Sequence, residues 1–163
     1  MTTEGSGIVA ERDALAPRSL TEAELVGWGR RVGAEVPVPC WIALHGPLGA
    51  GKSVLARAIA RGAGVAQRIP SPSFTLVQRY RSERGFEVYH VDLFRLRPGD
   101  AIAPLGWEEL LQAPALVLLE WANRAGDQQP EARWEVMLNY GDSPDVREAR
   151  VRRMGTAPEL LAW

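Results

Sequence analysis

Gly46-Pro47-Leu48-Gly49-Ala50-Gly51-Lys52-Ser53 is the stretch that decides how this chain folds. The pattern G-x-x-x-x-G-K-[ST] describes a cradle of backbone N–H groups that ends in an ammonium and a hydroxyl, a phosphate-binding loop. Its flanks agree with that reading. Cys40-Trp41-Ile42-Ala43-Leu44-His45 comes directly before it as an apolar run of strand length. After it, Val54, Leu55, Ala58 and Ile59 recur at helical spacing, Arg57 and Arg61 lie four apart on the opposite side, and Gly62 and Gly64 close the helix. In a strand–loop–helix unit the helix N-terminus aims unpaired N–H groups and a positive dipole end at phosphate. Lys52 is also the only lysine among nineteen basic residues. A compact ammonium enters a tight cradle more readily than a broad planar guanidinium does. Gly46 to Ser53, with Val54 just beyond, are therefore the candidate nucleotide contacts.

The bulk properties fit one globular domain. At 163 residues the chain is long enough for a real core, and 46% apolar with 24% charged residues is ordinary for a soluble protein. No apolar run approaches the roughly 18 residues that span a bilayer. Residues 1–16 carry acids and no apolar stretch of the kind a secretory signal needs, so the expected location is the cytoplasm. The single cysteine, Cys40, reads as a buried small hydrophobe. A net charge of −1 argues against autonomous nucleic-acid binding, DNA included. Arg79, Arg81 and Arg84, and Arg147, Arg150, Arg152 and Arg153, are interleaved with Glu and read as solvated faces.

Working outward, residues 1–17 lack periodicity and read as a flexible arm, leaving residues 18–163 as the domain. A helix begins near Thr21, where Thr21 and Glu24 suit a capping box and Leu25, Trp28 and Val32 form an apolar stripe. Residues 71–77 run from a polar Ser-Pro-Ser into a strand, and residues 86–91 form a second strand ending at Asp92. Residues 98–112 predict a largely helical segment with Trp107, Leu110 and Leu111 inward. Residues 115–119 form a continuous apolar run suited to a strand buried on both faces of a parallel sheet. Residues 134–140 and 146–153 flank Gly-Asp-Ser-Pro as an antiparallel hairpin, and a weak signal marks a short helix after Pro158. The sum is an α/β fold with a mainly parallel central sheet and antiparallel strands near the C-terminus.

A nucleoside triphosphate site needs a carboxylate to hold or orient Mg²⁺, usually at the carboxyl end of a buried strand beside the loop. Tyr89-His90-Val91-Asp92 and Leu116-Val117-Leu118-Leu119-Glu120 both end that way, and such strand ends share one crevice in open α/β sheets. Spacing alone leaves open which of Asp92 and Glu120 holds metal and which orients water. His90 reads more readily as a satisfied structural group than as a catalyst. The hydroxyls of Ser71, Ser73 and Thr75 suit either a switch-like segment or a plain turn. Trp121 suits stacking on a nucleotide or a place in the core.

Four blocks, G-P-L-G-A-G-K-S, S-P-S-F-T-L-V, Y-H-V-D-L-F-R-L and L-L-E-W, resemble in order and spacing the TsaE (YjeE) family of small bacterial ATPases. Together they cover about half of the chain. The loop is generic to many NTPases, whereas the other three blocks in this order are specific. The resemblance implies a three-layer P-loop NTPase-like fold that binds ATP or ADP with Mg²⁺. It also implies weak ATPase activity in tRNA N6-threonylcarbamoyladenosine biosynthesis, in partnership with a TsaB–TsaD pair and with tRNA only indirectly. Carried over by position, Lys52 and Ser53 serve the phosphates and Mg²⁺, Glu120 is the Walker-B-like metal acid, Asp92 is a second acid near the γ-phosphate, and Thr75 lies in the switch-like segment. Ser53-Val54 departs from the family's usual Thr-Thr, and Phe94 stands where tyrosine is common. A small-molecule kinase and a nucleotide-gated binding module without hydrolysis are the rivals. A GTPase is disfavoured because guanine-reading N/T-K-x-D motifs need a second lysine.

Overall fold

The computed structural model describes residues 13–70, 76–97 and 99–163. Along them run β1 (Ala14–Thr21), α1 (Glu22–Glu35), β2 (Cys40–His45), α2 (Lys52–Gly62), β3 (Val77–Arg81), β4 (Glu87–Asp92), α3 (Trp107–Gln112), β5 (Leu116–Glu120), β6 (Arg133–Tyr140) and β7 (Val146–Met154). Short 3₁₀ turns occupy Ala103–Leu105 and Ala122–Gln128. The strands form one sheet in the order β1-β7-β6-β2-β5-β4-β3. The central pairs β6–β2, β2–β5 and β5–β4 are parallel, and the outer pairs are antiparallel. This is the expected α/β sheet, with an added antiparallel strand at the β3 edge.

Helices and turns cover both faces, giving three layers. On one face the stripe Leu25, Trp28 and Val32 of α1 joins Leu55 and Ile59 of α2 over Ile42, Leu44, Leu116, Leu118, Trp134, Val136 and Leu138. On the other, Trp107 and Leu110 of α3, with Ala122 and Ala125, cover Trp41, Ala43, Val91, Val117 and Leu119. Each residue of β5 is buried, as its unbroken apolar run requires of a strand packed on both sides. The predicted capping box opens α1: Glu24 N–H donates to Thr21 Oγ1, and the Thr21 N–H donates to the Glu24 carboxylate. α1 and α2 approach so closely that a Cβ at Gly33 would lie 1.9 Å from the Ile59 carbonyl. Cys40 is buried, and burial pushes its thiol up to about 12, which leaves it an inert packing residue.

Three expectations change. The arm predicted over residues 1–17 does not include Ala14 to Pro17, which belong to β1 and pair with β7. This edge strand escaped notice because it is mostly exposed and its register shifts between Leu15 and Arg18, a bulge that accommodates Pro17. The helix expected over residues 98–112 shrinks to α3, because Gly99 and Gly106 adopt left-handed φ of 88° and 76° and interrupt the turn. No helix follows Pro158. There the chain is drawn out by indole N–H donors: Trp134 to the Pro158 carbonyl, Trp28 to that of Leu161, and Trp163 back to that of Ala16. Of the arginines read as solvated, Arg79 and Arg81 both pair with Glu87, while Arg84 donates to the Gly33 and Val36 carbonyls at the end of α1.

Among the described residues, no helix is long and apolar enough to cross a membrane.

Candidate functional site

The three parallel strands β2, β5 and β4 terminate side by side, with Leu44 opposite Glu120 and Glu120 opposite Asp92. From β2 the chain turns into the glycine loop, whose Gly46, Gly49 and Gly51 have φ of 141°, 79° and 103°. At Gly46 a Cβ would stand 2.1 Å from the Leu138 carbonyl, so only glycine lets the loop leave β2 beside β6. Helix α2 then starts at Lys52, with its first N–H groups facing the loop.

Lys52 is 5% exposed and is folded back onto the loop that carries it. Its Nζ donates to the Gly46 carbonyl at 2.7 Å and the Pro47 carbonyl at 2.8 Å, and lies 4.3 Å from the centre of the Trp121 ring. Burial pulls its pKa down, against the opposing charges of Glu120 and Asp92. Lys52 thus lies against its own loop, with the loop's carbonyls as its partners.

Glu120, 1% exposed, is satisfied through both oxygens. Ser53 Oγ donates to Oε1 at 2.7 Å, and His90 Nε2 meets Oε2 at 2.5 Å. Asp92 is half-buried, and its Oδ1 accepts from the Phe94 N–H at 2.9 Å. Its carboxyl is pushed above the usual aspartate range, first by burial and then by the Glu120 charge, with the Phe94 N–H, His90 and Lys52 opposing. The site thus holds two acids with different surroundings. Glu120 is locked in place by two partners, whereas Asp92 has one backbone partner and a side open to the crevice.

A cavity of about 520 Å³ opens over these groups, the size of a small-molecule site. Leu48, Gly49, Gly51, Lys52, Ser53, Val54, Asp92, Glu120 and Trp121 line it. Gly46 and Pro47 contribute indirectly by holding Lys52, and Ala50 is buried behind the loop. Thr75, with Ser71 and Ser73, lies outside the described residues. Trp121 borders the cavity and also packs, partly buried, against the core beneath α3. It adopts left-handed backbone angles (φ 57°, ψ 42°), an arrangement of order 1–3 kcal/mol in strain that a non-glycine residue keeps only under constraint. The constraint is visible: its ring packs 5.0 Å from that of Phe94, and the Arg124 guanidinium lies 5.7 Å from its centre.

The opposite wall was not legible in the sequence. It is built by Thr21, Glu22, Ala23 and Leu25 at the start of α1 and by Pro144, Asp145 and Arg147 around the β6–β7 turn. Arg147 Nη2 donates to the Gly49 carbonyl at 3.4 Å, and Tyr140 Oη donates to the Leu48 carbonyl, so the hairpin clasps the tip of the loop. Only the α1 capping box signalled any of this, and it signalled a helix start, not a cavity wall.

Among the described residues, no three His, Cys, Asp or Glu side chains gather as a self-sufficient metal site. A cation here would depend on Ser53 with Glu120 or Asp92 and on oxygens brought by a ligand. That is the oxygen-only, partly protein-supplied donor set that suits Mg²⁺.

A model of the threonylcarbamoyl adenosine biosynthesis protein TsaE matches residues 19–149. Two curated tRNA threonylcarbamoyladenosine biosynthesis proteins TsaE are similar along about three quarters of their length. That of Nostoc sp. strain PCC 7120 is 36% identical over 125 residues, covering 74% of this chain and 75% of the relative. That of Bacillus subtilis strain 168 is 30% identical over 120 residues, covering 74% and 73%. Among solved structures, Bacillus subtilis YdiB superposes with a TM-score of 0.68 over 86% of each chain at 24% identity, a likeness of fold.

Proposed function

The chain belongs to the TsaE family of tRNA threonylcarbamoyladenosine biosynthesis, and from that membership we propose that it is a Mg²⁺-dependent ATPase serving a TsaB–TsaD-type tRNA-modifying complex. The observation that carries the proposal is the meeting, in one cavity, of Lys52, the Ser53–Glu120 hydrogen bond and the less constrained Asp92. A bare phosphate loop would supply the first of these alone.

In this reading the loop N–H groups and the start of α2 receive the phosphates, and Lys52 exchanges the Gly46 and Pro47 carbonyls for phosphate oxygens. Ser53 and Glu120 hold the cation, because the hydroxyl and the carboxylate already face one another. When bound, Mg²⁺ neutralises phosphate charge that the protein's single ammonium cannot balance. Asp92 orients the attacking water: it borders the cavity, and its raised proton affinity makes it a better proton acceptor than an ordinary aspartate. Trp121 covers Lys52, with Phe94 packed against the Trp121 ring at the cavity edge. Weak turnover by the isolated chain is expected, since the Lys52 carbonyl contacts must break before it can serve a ligand.

The test is ATP turnover by the purified chain without and with TsaB and TsaD, together with co-purification in ATP, in ADP and without nucleotide. Turnover stimulated by the pair, with nucleotide-dependent association, is expected. Failure to associate under every nucleotide condition would remove the pathway partnership, and strong phosphorylation of a small metabolite by the chain alone would replace it with a kinase.

A further inference from the structure

His90 has a place in the site that the proposed ATPase chemistry does not yet use. It lies on β4 two residues before Asp92, and the β4–β5 register pairs His90 with Leu118 and Asp92 with Glu120. Side chains two positions apart on adjacent strands share a face, so the imidazole lies diagonally against Glu120. The His90 side chain is 1% exposed, and among the described residues its hydrogen-bond contact is Nε2 to Glu120 Oε2 at 2.5 Å, with Nδ1 buried and unpartnered. An imidazole kept only for packing would be an expensive choice here, since an apolar side chain would leave no orphaned nitrogen.

From this geometry we infer that His90 is the positioning residue of the metal acid: its Nε2 fixes the Glu120 carboxylate so that Oε1 faces the Ser53 hydroxyl. Glu has three rotatable side-chain bonds, and Ser53 alone fixes one oxygen without fixing the carboxylate plane. A second contact on the other oxygen removes that freedom. The logic is that of the outer partners that orient metal ligands, with the usual roles reversed, the histidine orienting a carboxylate. The nitrogen that matters is Nε2. A side chain that reproduces Nδ1 would have the polarity and lack the reach.

The inference rests on the reading of Glu120 and Ser53 as the cation-holding pair, and two amide substitutions separate the two claims. His90→Gln can carry an amide N–H to about the Nε2 position, whereas His90→Asn stops near Nδ1. The full chain of each variant is titrated with ADP with and without Mg²⁺ by calorimetry, and the Mg²⁺ concentration for half-maximal ATP turnover is measured alongside the melting temperature. Outer partners of metal ligands are worth roughly ten- to a hundredfold in metal affinity. His90→Asn is therefore expected to raise the half-maximal Mg²⁺ about tenfold while Mg²⁺-free ADP affinity stays at the wild-type value. His90→Gln is expected to recover most of that loss. Equal behaviour of the two variants, or a wild-type Mg²⁺ requirement in folded His90→Asn, overturns the inference. Failure of both to fold assigns His90 to the core and overturns it equally. Should the wild-type chain itself show no Mg²⁺-dependent nucleotide binding, the reading of the site fails first, and visibly so.

Discussion

The parallel and antiparallel halves of the sheet treat their carboxylates in opposite ways. In the parallel half, Glu120 and Asp92 end adjacent strands, Glu120 is held by the Ser53 hydroxyl and His90, and Asp92 is pushed toward protonation. In the antiparallel half, Glu135 on β6 is gripped by Arg133 at 2.7 Å and by Arg152 at 2.6 Å. Burial alone would raise its pKa, but the two guanidinium hydrogen bonds outweigh it and hold the carboxyl below its usual range. One half leaves Asp92 electrostatically unfinished, which suits the proposed cation site. The other finishes Glu135 and serves as a frame. Burial that pushes Asp92 toward protonation costs stability, and its place at the edge of the cavity marks where function was preferred.

The largest effect expected from breaking this contrast is at Glu120. Glu120→Gln keeps the side chain's shape and removes its charge, and steady-state ATP turnover should fall roughly a hundred- to a thousandfold, the scale of one preorganised electrostatic group. Normal turnover in that variant would move the metal role to Asp92. Next comes Lys52→Ala, which deletes a charged donor to phosphate worth about 1.5–3 kcal/mol, or roughly ten- to a hundredfold in ATP affinity by titration. Unchanged affinity would empty the loop of its assigned purpose. On the cavity's other wall, Thr21→Ala removes half of the α1 capping box and should lower unfolding free energy by about 1 kcal/mol in a denaturant melt. Because Thr21 also borders the cavity, a change in nucleotide affinity as large as the Lys52 effect would show that the wall binds more than it shapes.

The smallest effects test the contrast itself, through opposite signs. Asp92 has a raised folded-state pKa, so its charge opposes folding above that pKa, and the opposition vanishes as pH falls below the ordinary aspartate range. Asp92→Asn should therefore raise the melting temperature slightly at neutral pH and leave it unchanged in acid. Glu135 has a lowered folded-state pKa, so its contribution is complete above the ordinary glutamate range and is lost as pH falls through the folded value. Glu135→Gln should lower the melting temperature at neutral pH, with the difference closing in acid. Shifts of the same sign in both variants would erase the distinction between the halves.

The same division governs what could be read from the chain. The strand–loop–helix around Lys52 was legible because a phosphate loop is local: eight consecutive residues carry its glycines, its cation and its hydroxyl. β5 was legible because burial on both faces demands an unbroken apolar run. Asp92 and Glu120 could be placed at strand ends, but their roles could not be divided, since the partners of Glu120 (Ser53 and His90) come from α2 and β4, and the Phe94 N–H meets Asp92 only through the turn after β4. The wall of Thr21, Pro144 and Arg147 was illegible for the same reason. It exists only because β6 lies beside β2 and carries its hairpin over the loop. β1 left no pattern because an exposed edge strand with a bulge imposes little periodicity. Trp121 gave a residue type without a conformation, and the left-handed backbone that turns it toward Lys52 has no signature in an L-W-type block.

The two carbonyls and the ring that already surround the Lys52 ammonium act as an admission threshold. A newcomer is credited only with the difference between its own oxygens and those it displaces. A small monoanion that touches Nζ at one point merely replaces one acceptor with another, and gains little. A polyphosphate that also reaches the α2 N–H groups and brings a cation to Ser53 and Glu120 clears the threshold by contacts made elsewhere. Under the proposed function the folded-back lysine would discriminate among anions by how many places they bind at once, a selectivity that no single side chain in the cavity would supply alone.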